Sequence, residues 1–137
     1  MLKVKTKLGW DEVKGITVIA DEDIKKGSCI TYFDPDYDLI FEKTYIDHMP
    51  EAQKHFVQSM TYEYEFGINY KYVLPFCHEP YMNHDSKPNV DEYGRALKNI
   101  KSGDELTCDY VLMDSRCVLG SEPWLTLFVI YLRCKFG

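Results

Sequence analysis

With 137 residues, of which 45% are hydrophobic and 15% aromatic, the chain can bury one core and is not a disordered polymer. Its formal net charge of -6 argues against non-specific binding to nucleic acid, which draws on a basic face. The same charge suits a basic partner such as a lysine-rich peptide, and it also serves plain solubility.

Met1 to Lys7 lacks the apolar core of a signal peptide, so an intracellular protein is expected. Ile16 to Ala20 is a β-branched run and predicts a strand. Asp23-Ile-Lys-Lys-Gly27 follows as a turn, with Ser28 to Phe33 as the returning strand and Asp34 to Asp38 as an acidic loop. Pro50 to Met60 predicts a helix: proline suits its first turn, Glu51 favours the positive end of the dipole, and Ala52, Phe56, Val57 and Met60 share a face. Thr61 to Phe66 alternates like a strand, with Tyr62 on the apolar side, and Lys71 to Phe76 predicts another. Asn99-Ile-Lys-Ser-Gly103 echoes Asp23 to Gly27, which predicts two similar turns.

Many short strands, few helices and closely spaced turns predict a mostly β fold in a single domain, 1–137. Trp124 to Leu132 is strongly apolar but far shorter than the roughly 20 residues that span a bilayer. It reads as a buried terminal element or a surface for a homodimer, and no membrane association is expected. Cys29, Cys77, Cys108, Cys117 and Cys134 are odd in number, irregularly spaced and free of Cys-x-x-Cys, so reduced thiols are expected and no zinc cage is indicated. His48, His55 and His78 read as incidental, and Cys77-His78 lacks partners for a metal.

The densest polar segment is Tyr81-Met-Asn-His-Asp-Ser-Lys-Pro-Asn89. Asn83 and His84 could read an adenine edge, His84 could act as an acid or base, or both could satisfy backbone groups in a buried turn. Gly103-Asp-Glu-Leu-Thr-Cys-Asp-Tyr110 then predicts a turn and a strand ending on a tyrosine.

Asn-His-x-x-x-Pro-Asn followed by Gly-Asp-Glu-Leu-Thr-x-Asp-Tyr resembles the paired C-terminal motifs of SET-domain lysine methyltransferases. Lys14 to Gly27 resembles the opening motif of the same family, and the likeness covers about residues 13–33 and 77–111. The resemblance implies small twisted sheets around a threaded, pseudoknot-like C-terminal segment, one of the exceptions to the rule against threading. It also implies S-adenosylmethionine as methyl donor and a lysine side chain of a protein or peptide substrate as acceptor. On that likeness Gly15, Ile16 and Thr17 lie along the cofactor, Asn83 and His84 contact it, and Tyr62 is a further cofactor contact. Tyr110 is the catalytic tyrosine, and Cys108, two residues before it, lines the substrate channel. Neither metal nor direct nucleic-acid contact is implied.

The chain departs from the family pattern at Thr17, which replaces the second glycine of Gly-x-Gly, and at Asp85 and Ser86. No zinc-binding cysteine cluster follows Tyr110, so Trp124 to Phe136 or another chain would close the lysine channel. Thr17 also supports an alternative, a catalytically silent SET-like module that binds a protein partner. The small Cys108 predicts room for an already methylated lysine, and hence di- or trimethylation.

Overall fold

The computed structural model describes residues 1–66 and 69–113. The chain opens with an antiparallel hairpin of β1 (Thr6–Asp11) and β2 (Gly15–Ala20). β2 forms where its β-branched run predicted it, with Val18 and Ala20 wholly buried. β1 carries no clear alternation and was not legible beforehand; it exists because the turn returns the chain onto it. Asp11 Oδ1 accepts the Val13 and Lys14 N–H groups, each at 2.8 Å. Gly15 then takes a φ of +82°, open to glycine and strained for other residues. A Cβ on Gly9 would lie 2.8 Å from the side chains of both Thr17 and Ile19, so only a hydrogen fits there.

The two echoing turns meet. Ile24 and Ile100 exchange both backbone hydrogen bonds at 2.8 Å. Asn99 Oδ1 accepts the Lys26 N–H at 2.9 Å, and Asp23 Oδ1 accepts the Ser102 N–H at 2.9 Å. Gly27 N–H donates to Ala96 O, and Gly103 N–H to Ala20 O, both at 2.8 Å. Equivalent positions therefore make equivalent bonds, and the repeat in the sequence is a local two-fold pairing in space.

One expectation fails here. Ser28 to Phe33 is not a continuous strand, because Ile30 and Thr31 both donate to one carbonyl, that of Gly94, at 2.7 and 3.1 Å. Sharing one acceptor stops a ladder from propagating, and Cys29–Arg95 and Leu2–Thr31 remain as isolated bridges. Asp34 to Asp38 is a loop as expected, but its two end carboxylates, Asp34 and Asp38, are buried. Asp38 Oδ2 accepts the Asp34 N–H at 2.8 Å and the Met1 ammonium at 3.1 Å, while its Oδ1 accepts the Phe76 N–H at 3.1 Å.

The middle of the chain builds a separate antiparallel sheet. Its strands are β3 (Leu39–Glu42), β4 (Tyr62–Phe66) and β5 (Asn69–Leu74), in the order β3-β5-β4. Between β3 and β4 run α1 (Lys43–Asp47) and α2 (Glu51–Met60). Pro50 caps α2 as its position predicted, yet no residue of α2 is buried.

A 3-10 turn (Glu79–Tyr81) and three short elements complete the described chain: β6 (Asn83–His84), β7 (Thr107–Cys108) and α3 (Tyr110–Met113). The core gathers Val18, Ala20, Ile24, Ile30, Met82, Val90, Ile100, Leu106 and Cys108 between the hairpin, the paired turns and β6–β7. Among the described residues no helix is long and apolar enough to cross a membrane. Cys77 and Cys108 are free thiols. Cys29 is disulfide-bonded, which corrects the expectation of a reduced thiol at that position. The apolar run Trp124 to Leu132, and Trp124 to Phe136 as a channel closure, lie outside the described residues.

Candidate functional site

The segment from Asp104 to Tyr110 is the spine of the site. On one side it meets β2: Ala20 N–H donates to Asp104 O at 2.9 Å, and Leu106 N–H to Val18 O at 2.8 Å. On the other side β7 pairs in parallel with β6, matching Asn83 to Thr107 and His84 to Cys108. Parallel neighbours cannot be joined by a tight turn. The connecting residues therefore leave and return, and Val90 bridges to both Cys108 and Ala96.

Asn89, buried, fastens this arrangement. Its Nδ2 donates to Glu105 O at 2.7 Å and its Oδ1 accepts the Thr107 N–H at 2.9 Å. One side-chain amide thus imitates a backbone partner along one edge of a strand too short to pair fully, while the other edge faces β2. The reading of the residues assigned Asn89 no role, although the Pro-Asn motif contained it.

Asn83 ties all three motif segments together. Its Nδ2 donates to Ile16 O and to Glu105 Oε1, each at 3.0 Å. Glu105 Oε2 in turn accepts from Lys14 Nζ at 2.7 Å. That bond is the main reason the Lys14 ammonium is held above the ordinary lysine range. Both N–H groups of the Asn83 amide are thereby occupied within the protein, and the amide has only its acceptor oxygen left to offer. An adenine edge read by donor and acceptor together does not fit this geometry.

His84 and Tyr110 stand side by side, with ring centroids 5.4 Å apart. His84 Nδ1 accepts the Tyr110 N–H at 3.1 Å and lies 3.7 Å from Asp109 Oδ1. Tyr110 begins α3 instead of ending a strand, because β7 closes at Cys108. Its hydroxyl donates to Met82 O at 2.6 Å. Burial of the hydroxyl end raises the phenol above its usual pKa, although the residue as a whole is 46% exposed. The ring edge faces outward while the oxygen is sheltered.

The remaining predicted residues divide. Ile16 lies beside Asn83 and is partly exposed, and Gly15 precedes it at the start of β2. Thr17, buried, is turned towards Gly9 on the opposite strand. Tyr62 stands on the other sheet, in β4 opposite Val73. Cys108 is a member of the core cluster, and burial, with smaller contributions from Glu79 and Asp109, pushes its thiol up to about 12. It is therefore a packed, protonated core thiol at neutral pH. Glu105 was in a quoted motif but carried no assigned role; its signal was a carboxylate in a segment otherwise turning inward. Among the described residues no group of three or more His, Cys, Asp or Glu side chains could hold a metal ion.

The profile of the SET domain matches residues 15–111, which is most of the chain. This chain belongs to the SET-domain family. The crystal structure of a candidate histone methyltransferase from Plasmodium falciparum superposes on this SET domain with a TM-score of 0.56, at 22% identity, covering 80% of this chain and 95% of that one. At that identity the likeness is one of fold: small sheets, mostly strands, and few short helices. Among curated proteins there is no match.

Proposed function

We propose that this SET domain is a protein-lysine N-methyltransferase using S-adenosylmethionine. The observation that carries this reading is the convergence at Asn83, where one amide joins Ile16 of the first motif to Glu105 of the last. The chemistry of the surrounding groups fits the cofactor. Asn83 Oδ1 is an acceptor and Asp109 is a carboxylate, groups suited to a ligand carrying both a sulfonium and an ammonium charge. Gly15, Ile16, Asn83 and His84 would hold it, while Thr17 would act from beneath the hairpin surface. When bound, the cofactor supplies an electrophilic methyl group.

The chain's own part is to prepare and aim the acceptor lysine. A free lysine has a pKa of about 10.4, so removing its proton at pH 7 costs about 4.6 kcal/mol. A neighbouring cation and a desolvated wall both lower that cost. Tyr110 gives its only hydroxyl proton to Met82 O, so towards a substrate its oxygen is an acceptor. A neutral phenol with a raised pKa can hold an amine N–H and so direct the lone pair. It does not serve as the base. Assignment of Tyr110 as the catalytic residue belongs to this proposal, as does a basic protein or peptide substrate.

The test is methyl transfer from labelled S-adenosylmethionine into proteins of a cell extract, alongside calorimetry of cofactor binding. Label on protein lysines is expected. Cofactor binding without transfer would favour the silent interaction module, and absence of binding would end the enzyme reading.

A further inference from the structure

We infer that Glu105 is the positioning residue of the cofactor site, backed by Lys14, and that it locks the Asn83 amide with its acceptor oxygen free for the ligand. The inference rests on the methyltransferase reading and deepens it, giving a role of its own to Glu105, which that reading uses only as a partner of Asn83. Asn83 Nδ2 has two protons, and the structure spends both on acceptors, Ile16 O and Glu105 Oε1. With both neighbours being acceptors, the amide cannot flip: the reverse orientation would set its oxygen against a carbonyl and a carboxylate.

Glu105 is itself held. Its Oε2 accepts from Lys14 Nζ, and its backbone is fixed through Asn89 and the bridge to Ile19. The chain Lys14–Glu105–Asn83 therefore alternates donor, acceptor and donor. It selects a ligand that offers an N–H, such as an ammonium or an amine, over one that offers an acceptor.

Glutamine at this position is not conservative. Glu105→Gln would place one amide between two donors, Lys14 Nζ and Asn83 Nδ2, and one of them must face an N–H group. Loss of a charge-assisted hydrogen bond corresponds to about tenfold or more in affinity. Lys14→Met removes only the backing charge, on an exposed side chain, and should have a smaller effect.

Two measurements test this. In titrations with S-adenosylmethionine, Glu105→Gln should raise the dissociation constant and the cofactor KM about tenfold, with kcat nearly unchanged, and Lys14→Met should fall between it and wild type. In nitrogen-15 spectra without ligand, the Asn83 side-chain protons should exchange slowly in wild type and faster in Glu105→Gln. A general loss of fold would lower kcat and melting temperature together and would leave no selective change at Asn83. Unchanged affinity and unchanged Asn83 signals in Glu105→Gln overturn the inference. If wild type itself fails to bind the cofactor, the functional reading falls. The spectra then still decide the lock: faster exchange in Glu105→Gln upholds it, and no difference overturns it.

Discussion

The motif-bearing part of this SET domain and the middle stretch from β3 to β5 are built on different physical terms. The β1–β2 hairpin of the motif-bearing part pairs as an ordinary six-residue ladder, but around β6 and β7 strands of two residues are held by side chains that act as backbone partners, Asn83 and Asn89 above all. In the middle stretch ordinary antiparallel pairing carries the sheet, and α2 buries nothing while Phe56 is 64% exposed. Met49, Ala52, Gln53, Phe56 and Val57 line a shallow apolar groove there. A region whose elements are too short to stabilise themselves depends on individual polar side chains. A region with longer ladders tolerates change. Substitutions should separate the two.

The largest effect is expected at Tyr110. Tyr110→Phe should lower methyl transfer on the order of a hundredfold by removing the group that aims the amine. Cofactor affinity should hold, and stability should fall by about 1 kcal/mol for one lost hydroxyl bond. Near-normal transfer in this variant would displace Tyr110 from the reaction while leaving the fold untouched.

Asn89→Ala comes next, and it measures the motif-bearing part as structure. It strands the Thr107 N–H and the Glu105 carbonyl without their partner, for roughly 2–4 kcal/mol. Denaturant unfolding reads this directly; a loss below about 0.5 kcal/mol would mean that water replaces the amide at no penalty.

A smaller effect concerns the seam between the two regions. The Met1 ammonium bonds to Tyr32 O at 2.7 Å, Asp38 Oδ2 at 3.1 Å and Glu79 Oε2 at 3.2 Å, joining the loop before β3 to the turn before β6. Burial opposes its charge, but Glu79 foremost, with Cys77 and Asp38, raises its pKa above 8.0. A raised folded pKa means stabilisation that is complete below the unfolded value near 8.0 and is lost as pH rises through the folded one. Melting temperatures should therefore fall above pH 8, and Glu79→Gln should flatten that decline. An identical profile in both proteins would remove the seam as a source of stability.

The smallest effect is expected in α2. Phe56→Ala should change stability within about 0.5 kcal/mol, because the ring leaves little buried surface behind. A large loss would show that the groove is covered and that the contrast between the regions is overdrawn.

How far the residues alone reached depends on the range of the interactions involved. β2, α2, β4 and the two echoing turns were legible, because β-branching, a capping proline, alternation and a glycine at positive φ are properties of neighbours in sequence. The motif order was enough to imply the family. Thr6–Asp11 was not legible as a strand, since its pairing comes from the hairpin turn and not from its own pattern. The acidic loop was legible as a loop, but not the burial of Asp34 and Asp38, which only packing decides. The family resemblance implied that Cys108 lines the channel, and its place in the core changes what a test there means. A tyrosine at that site would overpack the interior, at about 1–3 kcal/mol, before it could narrow a channel.

The sequence by itself determined the local turns, the strand content and the residue types gathered in the motifs, because these follow from backbone preference and side-chain chemistry. Only the tertiary structure decided that Asn83, Ile16, Glu105 and Lys14 form one connected set, that Asn89 clamps β7, and that the Tyr110 proton belongs to Met82. Those contacts join residues 16 to 91 positions apart. Nothing in a local window encodes which of many available donors will meet which acceptor, and packing of the core around β7 makes that choice.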